Sequence, residues 1–393
     1  MPPILAEPRT ARKAAPGLPN AAPFPRMGAV ANRAPTEGVF IGNDPSRPLP
    51  FPMPALKNLA VGHFYNAPFR EACEPFLDRI AEVFFAWPGV LSCRPAPQFT
   101  PEVRARLLSD LRWARANGLR LDTLFNANCY GDEAISPELA DFVSRMLGEM
   151  EAEGLFPDVV TTTSPFIARV LRVRFPGVRI RASVNMRIHG TVGFDYADDL
   201  FDEFYLSRER QRDLAHVRRV AEWARARGKL VGMQVNSGCL RQCPFQTFHD
   251  NLHGHGDGRR PKDVETAKAF DFSFFRCKTH YAKGPDAAED FLRATWIRPE
   301  DVPLWEEAGV RLFKVAIRRH PRPAETLRAY AEYSFDGNLA ELMDPDHSAA
   351  FAPRIFDNRR FPADWATSGV GGVCADDCTR CGRCADVLRR VFV

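Results

Sequence analysis

The chain has 393 residues, with 45% hydrophobic and 26% charged side chains, which is the make-up of a globular protein with ample material for a core. Its 53 basic and 49 acidic residues leave a formal charge of +4, too balanced to argue for nucleic acid or an anionic membrane as partner. No apolar run nears the roughly 20 residues that span a bilayer, and the N-terminus lacks an apolar core of signal-peptide length, so a cytoplasmic protein is expected.

Residues 1–56 come first, and 13 of the 33 prolines fall before residue 56. With little periodic apolar pattern, this segment is read as an arm, largely disordered or lying on the core as a strap. From Leu59 short apolar runs alternate with amphipathic stretches. The runs are 59–64, 82–86, 120–126, 158–163, 179–185, 202–207, 229–236 and 311–317. Helical segments between them include PEVRARLLSDLRWARANG and LAHVRRVAEWARARG, each closing on glycine as helix C-termini often do. Eight strands in βα alternation predict an α/β fold, a TIM-like (β/α)8 barrel over residues 57–345. An open doubly wound sheet is the alternative, weakened because no GxGxxG follows the first strand. Residues 320–345 read as helical, and 346–393 form a cysteine-bearing tail.

In a barrel the loops after the strands build the active site. Here they carry Asn66, Asn126, Asn128, Cys129, Ser164, Asn185, Arg187, Asn236, Cys239 and Cys243. Asparagine and serine also suit turns for purely local reasons.

Ten cysteines in a protein of the reducing cytosol point to metal or thiol chemistry rather than to disulfides. Cys374, Cys378, Cys381 and Cys384 stand within eleven residues, separated by polar residues and glycine rather than by a hydrophobic stripe. Four thiolates suit tetrahedral zinc, or a 4Fe–4S cluster, whose ligands run in similarly tight C-x2-C series. The cluster is the preferred reading. Cys239 and Cys243 form a CxxxC in a polar loop after the seventh strand. Cys129 follows the third strand, and Cys277 lies 34 residues beyond Cys243. Convergence of these loops at the mouth would supply four thiolates for a second cluster. Cys73 and Cys93 sit beside apolar segments and read as small buried hydrophobes.

His249 and His253, four apart, would share a helix face. Asp250 stands where a zinc metalloprotease has glutamate, so that motif fails. His249, His253, Asn126, Asn236 and Asn251 are therefore candidates for substrate contact or proton transfer. Arg298 and Lys314, near the last strand, are candidates for holding an anionic substrate group. No GxSxG elbow is present, although Cys239 with His249 could form a thiolate–imidazole pair.

The barrel rhythm, the loop VNSGCLRQCPFQTFHDNLHGH and the stretch RATWIRPEDVPLWEEAGVRLFKVAIRRHP together resemble the collagenase-like "unassigned peptidase family thirty-two". The last stretch is similar to the family's proline-acidic turn, helix and "FKIEGR" strand, which is Phe313-Lys314-Val315-Ala316-Ile317-Arg318 here. The acidic-glycine pair is replaced by Ala316-Ile317, so a role carried by that acid does not transfer. The resemblance covers roughly residues 57–335. Cys374 to Cys384 match the tail of a branch ending in a CxxC run.

The better understood relatives include oxygen-independent hydroxylases of ubiquinone biosynthesis and of RNA bases, with a 4Fe–4S cluster held by four cysteines. Some take oxygen from prephenate. The resemblance implies an iron–sulfur oxidoreductase with one or two 4Fe–4S clusters, a small-molecule or carrier-bound substrate and an electron-donor protein. The cysteine spacing differs from that of the hydroxylases, so their substrate does not transfer. Two other classes remain open: a cysteine- or metal-dependent peptidase, and a non-catalytic iron–sulfur protein that binds RNA or another partner.

Overall fold

The computed structural model describes residues 57–93, 98–255, 272–273, 275–368 and 378–393, with backbone alone at 253–255 and 378–379. The arm expected over residues 1–56 lies outside them. The strands are β1 (Leu59–Gly62), β2 (Ile80–Phe85), β3 (Arg120–Phe125), β4 (Val159–Thr162), β5 (Arg179–Ala182), β6 (Glu203–Tyr205), β7 (Leu230–Gln234) and β8 (Leu312–Val315). They close in sequence order into an eight-stranded barrel. Neighbours are parallel throughout, and β8 returns to β1 through Lys314 opposite Ala60. This is the expected TIM-like barrel.

The two-residue period of a strand explains the burial. Leu121 and Phe125 of β3, Val83 and Phe85 of β2, Ile180 of β5 and Phe313 of β8 point outward into the main core under the helices. The alternate positions point into the barrel. Ala60, Phe84, Leu124, Val184, Tyr205 and Leu312 form an interior apolar cluster. Glu82, Asp122 and Glu203, each two residues earlier on its strand, and Arg181 of β5 are fully buried as an ionic layer beneath it.

Helix starts follow their capping residues. Thr100, Ser136, Ser164 and Asp213 each accept a backbone N–H from the first turn of the following helix, and proline occupies the first position of three of those helices. Gly118 and Gly228, which close the two helices singled out above, have φ of +72° and +64°. The helical reading of 320–345 is corrected. The helix runs only Pro323–Glu332, because Tyr333 turns left-handed at φ 53°, and a short 3₁₀ turn follows at Leu339–Leu342.

A second core forms between the β7–β8 connection and the C-terminal segment. It contains Cys277, Tyr281, Phe291, Trp296, Phe351, Phe356, Val391 and Phe392. Ile355 and Val393 exchange backbone hydrogen bonds, which pins the C-terminus to this core. Among the described residues no helix is long and apolar enough to cross a membrane.

Candidate functional site at the barrel mouth

The upper interior layer is the floor of a cavity of about 520 Å³ at the C-terminal ends of the strands. Phe84, Leu124, Gln234 and Lys314 form that floor, one residue each from β2, β3, β7 and β8. Cys93, Asn126 and Asn185 stand on one side, from the segments after β2, β3 and β5. Cys239, His249 and Cys277 stand on the other, from the β7–β8 connection. Arg318, Arg319 and Asp344 complete the rim beyond β8.

The loop bearing Cys239 and Cys243 is held at several points. Ser237 bridges to Asp344, Gly238 N–H donates to the Asp344 carbonyl at 3.1 Å, and Gln242 N–H donates to Glu209 Oε2 at 2.9 Å. Gly238 is required by close approach: a Cβ there would stand 2.3 Å from the Pro345 carbonyl oxygen. Arg208 Nη1 donates to Cys239 Sγ at 3.7 Å.

Cys277 lines the cavity with Cys239, and Cys243, outside the lining, lies near enough to both to act on them electrostatically. Burial pushes the Cys243 thiol up, and Cys239 adds to the shift. Burial likewise pushes Cys277 up to about 12, with Cys239 and then Cys243 contributing. Each of these thiols therefore senses its neighbours through low-dielectric surroundings, and a second negative charge beside the first is opposed. Such a group keeps its thiolate form only with a cation or cluster to share the charge. Among the described residues no three His, Cys, Asp or Glu side chains converge on a point sized for one metal ion.

The structure does not bring Cys129 to this wall. It is absent from the cavity lining, and its Sγ accepts the nearby Gly131 N–H at 3.4 Å. Of the tail cysteines, Cys381 is exposed and Cys384 is buried in the second core. Cys378 opens a short helix to Cys381, and Cys374 lies outside the described residues.

His249 lines the cavity from the helix Gln246–His255, its ring edge-on to Phe275 at 5.1 Å. Asp250 of the same helix pairs with Arg187 at 2.8 Å, which ties the helix to the segment after β5. Asn251 is half-buried on this helix, and the side chain of His253 lies outside the described residues. Asn126 faces the cavity and donates to Cys93 Sγ at 3.3 Å.

Asn236 is spent on backbone. Its amide donates to the Ala316 and Leu342 carbonyls, and its oxygen accepts Ala316 N–H at 2.8 Å. It fixes the ends of β7 and β8 rather than facing the cavity. Arg298 is buried elsewhere, paired through two nitrogens with Asp301 at 2.9 Å and lying over Phe361. Lys314, by contrast, lines the cavity, with its Nζ 4.3 Å from the centroid of Phe84 and 5.2 Å from that of Tyr205.

The mouth is electropositive. Arg208, Lys278, Lys314, Arg318 and Arg319 line it, against Asp250, Asp344 and Asp346. Two of those acids already carry partners, Asp250 with Arg187 and Asp346 with Arg322. An anionic ligand is favoured there. Cys93, Arg208, Lys278 and Arg319 escaped sequence reasoning. The signal available was position, since Cys93 and Arg208 lie just beyond β2 and β6, where a barrel builds its site. Apolar flanks masked Cys93, and its reading as packing alone is corrected by its place in the cavity wall.

No protein-family model matches the chain, and no curated protein matches its sequence. Among solved structures it is similar to the U32 peptidase Mk0906, at a TM-score of 0.46 and 15% identity, over 69% of this chain and 97% of that one. It is also similar to a chitinase from Bacteroides thetaiotaomicron, at a TM-score of 0.36 and 11% identity, over 66% and 88% of the two chains. A third likeness is to D-psicose 3-epimerase from Clostridium cellulolyticum H10, at a TM-score of 0.31 and 11% identity, over 51% and 82%. Likeness at this level assigns no function.

Proposed function

We propose that the chain is an iron–sulfur-dependent oxidoreductase that modifies a small or carrier-bound anionic substrate at the barrel mouth without molecular oxygen. The observation that carries this reading is that Cys239 and Cys277 line one basic cavity, with Cys243 close enough to both to act on them electrostatically. The donor set fits a cluster. Thiolates are the ligands that such a cluster takes from a protein. Oxygen-independent hydroxylation is the first choice of reaction, and a family-thirty-two kinship agrees with it.

Cys239, Cys243 and Cys277 would hold the cluster, which would supply one-electron chemistry at the barrel mouth. The chain's own residues do the rest. Arg208 donates to Cys239 Sγ and so fixes the direction of that thiol. Arg318, Arg319 and Lys278 hold the anionic group of the substrate. The imidazole of His249, at the cavity wall, gives or takes a proton. Phe84 and Leu124 close the floor against water. Cys374, Cys378, Cys381 and Cys384 would bind a second cluster that receives electrons from a donor protein. The same reading implies a reducing cytoplasm.

Iron and acid-labile sulfide in anaerobically prepared protein test the proposal. About four irons per filled site are expected, hence about eight if the tail is also loaded. Cys243→Ser should empty the barrel site, whereas His249→Ala should keep full iron and lower turnover by about 100-fold. Stoichiometric zinc without sulfide would overturn the reading. A Cys243→Ser protein that keeps its iron and loses activity would favour a thiol nucleophile instead.

A further inference from the structure

Lys314 lines the cavity and has no part in the proposed cluster. It is 6% exposed and sits on β8, with its backbone fixed between β7 and β1. Buried cations elsewhere in the molecule are held by acids or by hydrogen bonds, as Arg212 is by the Leu292 and Ala294 carbonyls. Arg181 meets Glu82, Asp122 and Glu203, and Arg298 meets Asp301. Among the described residues the Lys314 amine has neither a hydrogen bond nor an ion pair, only the faces of Phe84 and Tyr205. A lysine that holds nothing together, yet stands at the floor of an accessible cavity, is placed for chemistry rather than for stability.

We infer that Lys314 is a nucleophilic amine that condenses with the carbonyl of a 2-oxo acid bound in the barrel mouth. Nucleophilic lysines are activated by desolvation and by neighbouring cations. Desolvation is the condition that holds here. Burial lowers the affinity of Lys314 for its proton, and Arg181 and Arg318 lower it further. Cys93 and Asp122 act in the opposite sense, but burial is the largest effect. The carboxylate half of the ligand follows from Arg318 and Arg319, which continue the same chain past β8 and line the same cavity. In a 2-oxo acid the carboxylate adjoins the carbonyl, so guanidinium groups beside the lysine would hold the reacting carbon near the amine.

The step balances without an oxidant. The amine nitrogen bonds the carbonyl carbon to give a carbinolamine. The oxygen then leaves as water, taking one hydrogen from the nitrogen and one proton from the surroundings, and a protonated iminium remains. This inference does not rest on the cluster, and its test needs no iron.

The full chain, prepared anaerobically, is incubated with pyruvate and cyanoborohydride, digested and mapped by mass spectrometry. The reduced adduct is expected on Lys314, at about tenfold or more above Lys278 and Lys283 and above the yield with acetone, as a charge-assisted carboxylate contact would give. Lys314→Arg should keep the fold, checked by circular dichroism, and lose the adduct. If that variant does not fold, the map of the unaltered chain still decides. An unmodified Lys314, or adducts spread evenly over the surface lysines, overturns the proposal. Equal trapping of acetone and pyruvate overturns its carboxylate half.

Discussion

Arg181 neutralises three buried carboxylates at once, through Nε to Glu203 at 2.8 Å, Nη2 to Glu82 at 2.8 Å and Nη1 to Asp122 at 3.0 Å. Breaking a buried ionic group by removing one partner costs about 3–5 kcal/mol, because the remaining charges stay desolvated. Arg181→Met is therefore expected to lower unfolding stability by about that amount, read from denaturant midpoints. The acids of this layer titrate in opposite senses. Burial pushes Glu203 up, but Arg181 and Arg120 overcome it and hold its carboxyl at about 2, below the unfolded 4.5. Its stabilisation is complete above pH 4.5 and lost as pH falls toward 2. Burial raises Asp122 to about 7 from 3.8, with Arg181 pulling the other way. Its contribution is complete below pH 3.8 and lost as pH rises through about 7. Asp122→Asn should remove the decline of stability between these pH values while leaving the acid limb intact, as pH-resolved denaturation would show.

At the scale of elements, the loop after β7 combines a local motif with a distant constraint. CxxxC spacing was visible in the sequence, but the crossing of Gly238 beneath Pro345 was not. Gly238→Ala must push the loop away from the 344–346 segment, because backbone faces the added methyl group. The expected outcome is a barrel with its normal far-ultraviolet spectrum and reduced iron per chain, measured together on one sample. Full iron retention would show that the cysteine loop can move without losing its ligand geometry. The strands were legible for a physical reason: apolar alternation and glycine closures act over a few residues. The helix expected across 320–345 failed because Tyr333 takes a left-handed conformation and its half-buried side chain meets Glu306, Arg79 and Asn58 from distant segments through the hydroxyl. No local periodicity encodes that.

For the whole molecule, the second core joins the C-terminus to the segment bearing Cys277. Phe392 packs against Phe356 at a ring separation of 4.8 Å and against Phe351 at 6.1 Å. Truncating a buried phenylalanine costs about 3–5 kcal/mol. Phe392→Ala is expected to lower global stability by that order in a denaturation experiment. Because Cys277 and Tyr281 share this core, limited proteolysis should also find the 276–281 helix more readily cut.

By itself the sequence determined the eight-stranded α/β rhythm, the helix closures at Gly118 and Gly228, and a cysteine- and histidine-bearing loop at the end of β7. These are written in short-range periodicity and capping chemistry, which each segment carries alone. Only the tertiary structure decided which side chains face one another. It set Cys277 beside Cys239 and Cys243, and left Cys129 on its own loop. It spent Asn236 and Arg298 on structural contacts, brought Cys93 and Arg208 to the cavity, and left Lys314 as a buried amine against the faces of Phe84 and Tyr205. The reason is that a loop residue's direction depends on barrel closure and on packing between segments far apart in the chain, and neither leaves a trace in local spacing.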